Sequence, residues 1–453
     1  MMTEDKYSSQ IQQPQAKFFT TITYGCQMNE NDSERLAGQL KSIGYEHSDN
    51  LEKADIILIN TCCVRESAEK KIYGKIGELK RLKAVNPNLI IGITGCMAQK
   101  DREKLFKKAS HIDLVMGTHN IHELVKLVRE VEASKGKVLA VWDQAERMAP
   151  NVPTVRRGRI SAWVPIMYGC NNFCTYCIVP YVRGRERSRP VEDIVDEIRQ
   201  LGKEGFKEIT LLGQNVNSYG KDHDGSDFAD LLSAVDAIDS IERIRYMTSH
   251  PRDMNDKVIA AVKDSRKICR HFHLPIQSGS DEILRRMNRG YTTGYYRELV
   301  DKIRQAIPGA SLTTDLIVGF PGETDELFAE TLNFMKEIEY DAAYTFLYSQ
   351  RSGTPAATMP DQLPLAVKKA RLQQLMQAQN EISLKINKRL EQTVVEVLVE
   401  GPSKTDDHKL MGRTGANKIV LWEKQGPEQV GQLARVKVET AQTWLLKGRL
   451  VLL

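Results

Sequence analysis

Three cysteines spaced C-x3-C-x2-C, Cys170, Cys174 and Cys177, are the side chains of this 453-residue protein best suited to chemistry. Three thiolates can hold three irons of a cubane [4Fe–4S] cluster and leave the fourth iron without a protein ligand. An iron left open in this way can bind a substrate or a cofactor. The alternative is a structural zinc site, but zinc normally takes four Cys or His ligands, and no fourth one follows nearby in the loop. The spacing therefore favours an iron–sulfur cluster.

Three further cysteines, Cys26, Cys62 and Cys96, directly follow the β-rich apolar runs FFTTITYG, ADIILINT and NLIIGITG. Because the carboxyl ends of strands in an open α/β sheet form one rim, we expect these thiols to converge. A single free cysteine is commonly a small buried hydrophobe, but three at equivalent strand ends favour a second three-cysteine cluster. We interpret the two remaining thiols, Cys63 and Cys269, as packing residues.

The chain that positions these residues is predicted to be an α/β protein of three domains. Apolar runs alternating with charged, helix-patterned stretches predict an N-terminal parallel α/β sheet domain over 17–135. The stretch KGKVLAVWDQ and the Pro- and Arg-bearing segment after it are expected to be a connecting strand and a linker.

Six more strand-like runs alternate with amphipathic helical stretches over 156–387: WVPIMYG, EITLLG, RIRYMTS, CRHFHLPI, SLTTDLIVGF and DAAYTFLYS. They predict an open (β/α)6 partial barrel whose site lies at the C-terminal ends of the strands. The segment 365–389 is expected to be a helical linker. Short alternating strands with Gly-bearing turns then predict a small β-barrel over 388–453.

Composition excludes several classes of protein. With 41% hydrophobic and 27% charged residues, the chain is typical of globular proteins. No apolar stretch approaches the ~20 residues that span a bilayer, so no membrane association is expected. The polar start lacks the apolar core of a secretory signal, so we expect a cytoplasmic protein with reduced thiols. A formal charge of +5 neither requires nor excludes nucleic acid.

Polar loops follow the predicted barrel strands, with backbone and amide groups that can hold an amino acid moiety, a ribose and an adenine near the open iron. Ordinary turn chemistry remains the alternative for each loop. For His250, His271 and His273, core or turn roles are favoured over acid–base chemistry.

Four arginines alternate in VRGRERSR: Arg183, Arg185, Arg187 and Arg189. An extended segment would place all four on one face, and the planar guanidinium suits phosphate. A solvated or salt-bridged stretch is the alternative, but the charge pattern favours contact with RNA or cofactor.

The motifs also resemble a known family. C-x3-C-x-aromatic-C, with Tyr176 before the last cysteine, resembles the radical S-adenosylmethionine superfamily. Together with YGCQMN, NTCCVR and TGCMAQ it is similar to the methylthiotransferase branch. GCQMN, LLGQNVNSYG, TSHP, HLPIQSGSDEIL and DLIVGFPGET resemble the tRNA 2-methylthio-N6-isopentenyladenosine synthases, and the resemblance runs from about Lys17 to Leu452.

This resemblance implies two [4Fe–4S] clusters and S-adenosylmethionine as cofactors. The cluster on Cys170, Cys174 and Cys177 would chelate S-adenosylmethionine and, given one electron, cleave it to a 5′-deoxyadenosyl radical. The cluster on Cys26, Cys62 and Cys96 would carry the sulfur inserted at C2 of adenine, methylated by a second S-adenosylmethionine. Tyr176 would contact the adenine of the cofactor. The rest of the pocket would be lined by Gly213, Gln214, Asn215, Gln277, Ser278 and the loop from Gly319 to Glu323.

The implied substrate is N6-isopentenyladenosine at position 37 of the tRNA anticodon loop. The C-terminal segment resembles the TRAM domain, an RNA-binding barrel, and Arg413 is a candidate contact to the RNA backbone. A reductant protein and a sulfur donor are expected partners, and the chain is expected to be a monomer.

Two other classes of function stay open. One is a methylthiotransferase for threonylcarbamoyladenosine in tRNA or for a ribosomal protein side chain, against which GCQMN and LLGQNVN argue. The other is a non-catalytic iron–sulfur protein that binds RNA. A radical enzyme without sulfur insertion would leave Cys26, Cys62 and Cys96 without a purpose.

Overall fold

The computed structural model describes residues 16–62, 66–143, 152–223, 225–425 and 429–451, without the side chains of 66–70. These residues form two compact units. The first holds 16–62, 67–143 and 152–155, and the second begins at Arg156. In the described ranges no helix is both long and apolar enough to cross a membrane.

The first unit is built on six short strands and five helices. The strands are β1 (Lys17–Tyr24), β2 (Tyr45–His47), β3 (Ile56–Thr61), β4 (Ile90–Gly95), β5 (Leu114–Met116) and β6 (Val138–Ala140). The helices are α1 (Gln27–Ser42), α2 (Glu66–Val85), α3 (Cys96–Asp101), α4 (Lys104–Lys108) and α5 (Leu124–Ser134).

All six strands are parallel, in the order β2-β1-β3-β4-β5-β6. Every residue of β3 and β4 is buried, because helices cover both faces of a parallel sheet. The prediction of a parallel α/β sheet is confirmed. The strand expected to be a connection is instead the edge strand β6: Val138 pairs with Leu114 of β5, and Val138 and Ala140 are buried against the sheet's own core.

The second unit opens with eight strands and eight helices. The strands are β7 (Ser161–Pro165), β8 (Met167–Tyr168), β9 (Arg187–Ser188), β10 (Glu208–Leu212), β11 (Arg243–Tyr246), β12 (His271–His273), β13 (Ser311–Val318) and β14 (Ala342–Leu347). The helices are α6 (Val179–Arg183), α7 (Val191–Lys203), α8 (Phe228–Asp236), α9 (Asp256–Asp264), α10 (Asp281–Arg286), α11 (Thr293–Ala306), α12 (Asp325–Ile338) and α13 (Leu365–Lys388).

Six of these strands form the predicted partial barrel. The parallel sheets β7-β10-β11 and β12-β13-β14 are joined by a parallel bridge between Ile244 and Ile268. Ile209, Ile244 and Phe272 pack into the apolar core shared with the surrounding helices. Their neighbours along each strand point to the opposite side, so the interior of the barrel is lined by polar side chains.

The chain ends in a closed five-stranded barrel, also as predicted. Its strands are β15 (Val394–Ser403), β16 (Asp406–Thr414), β17 (Ile419–Glu423), β18 (Leu433–Ala441) and β19 (Leu445–Leu450), in the order β15-β16-β17-β19-β18. Val397, Trp422 and Val436 form its core. The expected helical linker before it is α13.

Two buried arginines of β11 join the partial barrel to the C-terminal barrel. Arg245 donates to the carbonyl oxygen of Thr414 at 2.8 Å and to that of Gly415 at 3.4 Å. Arg243 donates to the carbonyl oxygens of Arg413 and Glu396. The Glu208 carboxylate accepts from Arg245 Nε at 2.8 Å. We call Arg243 and Arg245 the arginine pair.

Candidate active site

The loop 169–178, which carries the C-x3-C-x2-C motif, begins at the end of the short ribbon β8-β9. Gly169 has φ +76°, and a Cβ there would lie 2.0 Å from the carbonyl oxygen of Arg185. Only glycine fits this close approach of two backbones. Cys170 N then donates to the Gly184 carbonyl oxygen at 3.1 Å, which fixes the start of the loop.

Backbone contacts from two other loops hold the middle of the motif. Thr175 N donates to the carbonyl oxygen of Met287 at 3.0 Å, and its Oγ1 donates to that of Arg286 at 2.9 Å. Ala356 N donates to the carbonyl oxygen of Thr175 at 2.9 Å. The loop is therefore fixed by the segments that follow α10 and β14, over 110 residues away in sequence.

The three thiols have the chemistry of an iron–sulfur ligand set. Cys170 and Cys174 are buried, Cys177 is half-buried, and none is in a disulfide. Burial raises the pKa of Cys170 to about 11 and that of Cys177 to about 12, and the Cys174 thiol adds to both shifts. A bound metal is what makes such thiols thiolates.

The same thiols do not form a site for a single ion. Zinc requires ligands about 2.0–2.3 Å from one point, and within the described ranges no group of three or more His, Cys, Asp or Glu side chains is arranged to hold one metal ion. Three thiols on one fixed loop are the donor set that an iron–sulfur cluster takes, and three thiolate ligands leave one iron of a cubane cluster open.

Sequence reasoning missed Arg289, which follows α10. Its Nη1 donates to Cys174 Sγ and to Tyr176 Oη, both at 3.3 Å. Its Nη2 donates to the Pro275 carbonyl oxygen at 2.6 Å, and its Nε donates to Tyr291 Oη at 3.0 Å. Arg289 lies 115 residues from Cys174 in sequence, and no local pattern marks the contact.

Tyr176 lies beside the loop that follows β13. Its ring packs on an apolar cluster that includes Met287, Phe320 and Tyr348. Gly319, next to Phe320, has φ +73°, and its N donates to Glu323 Oε2 at 2.7 Å. The structure thus brings Tyr176 and this loop together, while their contact with a cofactor stays a prediction.

The Glu323 side chain stabilises its own loop. Arg371 of α13 donates to Glu323 Oε2 at 2.8 Å and to its carbonyl oxygen at 2.9 Å. Lys368, one helical turn earlier, donates to the Tyr348 carbonyl oxygen at 3.2 Å. α13 therefore fastens the loops after β13 and β14.

The loop that follows β10 places Gly213 and Asn215 in tight packing. A Cβ on Gly213 would lie 2.7 Å from Met167 Cγ. Asn215 is buried, donates to Asp253 Oδ2 at 2.6 Å and accepts from His250 N at 3.0 Å. Gln214 between them is only partly buried.

Gln277 and Ser278 lie in the loop that follows β12. Gln277 has φ +75°, and its backbone bonds to Asp315 and Ile317 of β13. Ser278 is fully buried, 3.0 Å from Thr331 Oγ1 of α12. Ser278 thus supports the loop through a buried contact with a helix.

His250, His271 and His273 are all buried, which agrees with the core or turn roles that the sequence favoured for them. His271 Nε2 and His273 Nδ1 both lie within 3.0 Å of Thr313 Oγ1. Burial lowers the pKa of His271 to about 3 and that of His250 to about 2. Both rings are therefore neutral near pH 7.

The first unit carries the second cysteine set. Cys62 and Cys96 directly follow Thr61 and Gly95, which are paired in register, and Thr61 is paired with Tyr24, two residues before Cys26. All three thiols thus lie at the carboxyl ends of the adjacent strands β1, β3 and β4. Cys62 and Cys96 are buried and Cys26 is exposed. Cys63 lies outside the described residues, and Cys269 is buried.

A buried amide network supports these strand ends. Asn29 Nδ2 donates to Asn60 Oδ1 at 3.1 Å, and Asn60 Nδ2 donates to the Asn29 carbonyl oxygen at 2.8 Å and to Ser33 Oγ at 3.0 Å. Asn29 Oδ1 lies 3.4 Å from both N and Sγ of Cys26. The motif GCQMN thereby fixes the first turn of α1 against β3.

The sequence predicted that the four alternating arginines share one extended face, but the structure shows that they do not. Arg183 is buried at the end of α6, and Gly184, with φ +75°, turns the chain after it. Arg189 donates to Glu197 and to the Pro165 carbonyl oxygen, each at 2.7 Å. Arg187 is half-buried, and only Arg185 is exposed.

Arg413 lies on β16 of the C-terminal barrel. Its Nε is 3.1 Å from Glu400 Oε1, and its side chain is 34% exposed. Contact of Arg413 with RNA stays a prediction.

Comparison with known proteins matches three family profiles to this chain. They are the Radical SAM superfamily over residues 164–335, the uncharacterized protein family UPF0004 over 18–117 and the TRAM domain over 388–451. Proteins named tRNA-2-methylthio-N(6)-dimethylallyladenosine synthase are similar over nearly the whole chain. The one from Acetivibrio thermocellus is 52% identical, covering 99% of this chain and 94% of that protein. The one from Carboxydothermus hydrogenoformans is 53% identical, covering 96% and 99%.

Among solved structures, the radical S-adenosylmethionine methyltransferase TsrM from Kitasatospora setae has a similar fold. It aligns with a TM-score of 0.56 at 16% identity, over 76% of this chain and 77% of that one. At this identity the likeness concerns the fold alone.

Proposed function

This chain belongs to the tRNA-2-methylthio-N(6)-dimethylallyladenosine synthase family of the radical SAM superfamily, and we propose that it attaches a methylthio group to C2 of N6-isopentenyladenosine at position 37 of tRNA. The observation that carries the proposal is the motif loop, which holds three thiols at the rim of an open (β/α)6 barrel.

Cys170, Cys174 and Cys177 would hold a [4Fe–4S] cluster, and S-adenosylmethionine would bind beside it. When bound, this pair supplies one-electron cleavage of the sulfonium and removal of hydrogen from an unactivated C–H bond. Thr175 and Gly169 fix the backbone of the loop that carries these thiols, through a hydrogen bond to Arg286 and a close approach to Arg185.

The protein also shapes the space for the cofactor. Tyr176, Gly213, Gln214, Asn215, Gln277, Ser278, Gly319 and Glu323 would bound it. In this group Asn215, Ser278 and Glu323 are already engaged by Asp253, Thr331 and Arg371. We assign those three to the support of loop geometry, and the remaining residues of the group to ligand contact.

A second cluster on Cys26, Cys62 and Cys96 would supply the inserted sulfur. Support comes from the alignment of the three strand ends and from the amide network beneath them. Methylation of that sulfur would use a second S-adenosylmethionine. A reductant protein and a sulfur donor would act with the enzyme, which we propose to be a monomer with tRNA bound in part by the C-terminal barrel.

A direct test offers anaerobically reconstituted protein two tRNAs, one with isopentenyladenosine and one with threonylcarbamoyladenosine, in the presence of S-adenosylmethionine, reductant and sulfide. Mass spectrometry of the digested nucleosides is expected to find a methylthio product from the first tRNA alone. Product from the second tRNA alone would assign the other substrate. Absence of any S-adenosylmethionine cleavage with intact clusters would favour a non-catalytic protein that binds RNA.

Neighbouring thiols test the roles of the two cysteine sets. Cys174→Ala is expected to abolish cleavage of S-adenosylmethionine. Cys62→Ala is expected to keep this cleavage and lose the methylthio product, because Cys62 lies at the carboxyl end of β3. Cys63→Ala is the matched control and should stay active; loss of the second cluster in this variant would show that the wrong neighbour was chosen.

A further inference from the structure

Arg289 is a buried cation whose hydrogen-bond partners carry no formal charge. Arg289 is only 4% exposed. Its four hydrogen-bond partners are one carbonyl oxygen, two tyrosine hydroxyls and the sulfur of Cys174. No carboxylate among the described residues lies within ion-pair distance of it. Burying an unpaired charge is costly, so this position requires a negative charge that the protein side chains do not provide.

Two other buried arginines of this unit, Arg371 and Arg245, differ in this respect. Arg371 is 2.8 Å from Glu323 Oε2, and Arg245 is 2.8 Å from Glu208 Oε2. Both have a carboxylate as partner. Arg289 instead donates to Cys174 of the motif loop.

An iron–sulfur cluster on three thiolates supplies the missing charge. Such a cluster is anionic when oxidised and gains one further negative charge when an external reductant adds one electron. Net charge and hydrogen bonds to the sulfurs are among the factors that set cluster potential. A fixed cation donating to Cys174 Sγ stabilises the reduced state more than the oxidised state.

We propose that Arg289 is a positioning residue that sets the reduction potential of the cluster on Cys170, Cys174 and Cys177 by holding a buried positive charge against Cys174 Sγ. The inference rests on the proposed function only in assuming that this loop holds a cluster.

The geometry also explains why the charge stays in place. Nη2 and Nε are bonded to Pro275 and Tyr291, and the guanidinium lies 5.3 Å from the centre of the Tyr291 ring. Tyr291 Oη in turn donates to the carbonyl oxygens of Pro275 and Ile276. The loop that follows β12 therefore fixes the arginine from the side opposite the cysteine.

The test is a redox titration followed by EPR, in full-length protein with Cys26, Cys62 and Cys96 replaced by Ala so that one cluster remains. Iron content is measured first. Arg289→Gln is expected to shift the midpoint potential to a more negative value, and Arg289→Lys, which keeps the charge, to restore most of that shift. Arg285→Gln is the control for loss of an arginine, because Arg285 is exposed and paired with Glu282.

An unchanged potential in Arg289→Gln would overturn the proposal, as would a potential in Arg289→Lys as low as that of Arg289→Gln. Cleavage of S-adenosylmethionine provides a second readout: the loss in Arg289→Gln should be large with a weak reductant and small with a stronger one. An equal loss with both would also overturn it.

One measurement needs no variant at Arg289. Protein labelled with 15N-arginine should show 15N hyperfine coupling to the reduced cluster in pulsed EPR, and absence of this coupling would contradict the contact. These experiments need neither tRNA nor the second cluster, so failure of sulfur insertion would leave their outcome intact.

Discussion

Single residues in this protein show how burial decides protonation. His271 lies inside the partial barrel, where burial lowers its pKa to about 3 and the nearby His273, Arg245 and Lys418 add to the shift. Its ring accepts or donates one bond, to Thr313 Oγ1 at 2.9 Å. The neutral ring is thus part of the folded state, and a proton on it opposes folding.

Stability should therefore fall as pH is lowered below the unfolded-state pKa of His, about 6.5. Between that value and about 3 the unfolded chain binds the extra proton, so His271 removes up to about 1.4 kcal/mol of stability per pH unit. Denaturant unfolding of cluster-free protein at several pH values measures the slope. His271→Gln should reduce this slope by the share that His271 contributes, whereas His408→Gln, which changes an exposed histidine, should leave the slope unchanged.

The arginines of VRGRERSR separate into different roles once their contacts are known. Arg185 is exposed, with its guanidinium 4.5 Å from the centre of the Phe173 ring. Arg189 is engaged by Glu197 at 2.7 Å. Their alternation in sequence could not show this, because a short helix and a turn at Gly184 interrupt the segment.

We expect Arg185→Ala to weaken tRNA binding and to reduce the slope of log affinity against log salt by about 1, with little change in stability. Arg189→Ala should instead lower stability. Binding measured across salt concentrations, with an unfolding curve for each variant, separates the two. Equal salt slopes for Arg185→Ala and unmodified protein would remove Arg185 from the RNA interface.

At the scale of elements, apolar runs predicted the strands that carry function. β1, β3 and β4, and all six barrel strands, lie where the sequence predicted them, because long apolar runs in buried parallel strands give a strong signal. The three-residue strands β2 and β5 lie outside any such run, whereas β12, equally short, lies within the longer run CRHFHLPI. Arg289 and the Arg371–Glu323 contact join segments distant in sequence, so only the fold reveals them.

The turn from β4 into α3 offers a prediction at this scale. Gly95 has φ +89°, and a Cβ there would lie 2.4 Å from Asn60 Oδ1 and 2.5 Å from the Thr61 carbonyl oxygen. Gly95→Ala should lower the free energy of unfolding by more than the roughly 1–3 kcal/mol that backbone strain alone costs. It should also displace Cys96 and lower the iron content.

Gly44→Ala is the matched control, since Gly44 has φ +88° with no atom within 4 Å of the added Cβ. Unfolding curves and iron assays of both variants make the comparison. Equal destabilisation by the two would mean that the contact with Asn60 and Thr61 does not matter.

At the scale of the whole molecule, buried polar contacts in the second unit join the partial barrel to the C-terminal barrel. The arginine pair reaches from β11 to the C-terminal barrel, and Lys418 of that barrel is 2.6 Å from Asp341 Oδ1, next to β14. The sequence predicted both barrels but not this junction, since nothing in RIRY distinguishes a strand facing solvent from one facing another domain.

Arg245→Met should lower the free energy of unfolding by about 3–5 kcal/mol, because it leaves the Glu208 carboxylate buried without its arginine partner. Arg243→Met should cost less, because its carboxylate partner Glu396 is 57% exposed. Chemical unfolding measures both, and adding Glu208→Gln to Arg245→Met should recover part of the loss. No recovery in the double variant would show that Arg245 acts through Thr414 and Gly415 alone.

The arginine pair bonds to main-chain carbonyl oxygens in the segment 413–415, and every residue type has this atom. Substitution of Arg413, whose side chain is 34% exposed, therefore leaves these acceptors in place, whereas Thr414 is buried and its Oγ1 accepts from Lys418 N at 3.1 Å. A library that randomises Arg413 and keeps Thr414 therefore tests whether this side chain affects tRNA binding while the contacts of the arginine pair stay in place. The junction thus depends on the backbone path of this segment and not on which side chain stands at position 413.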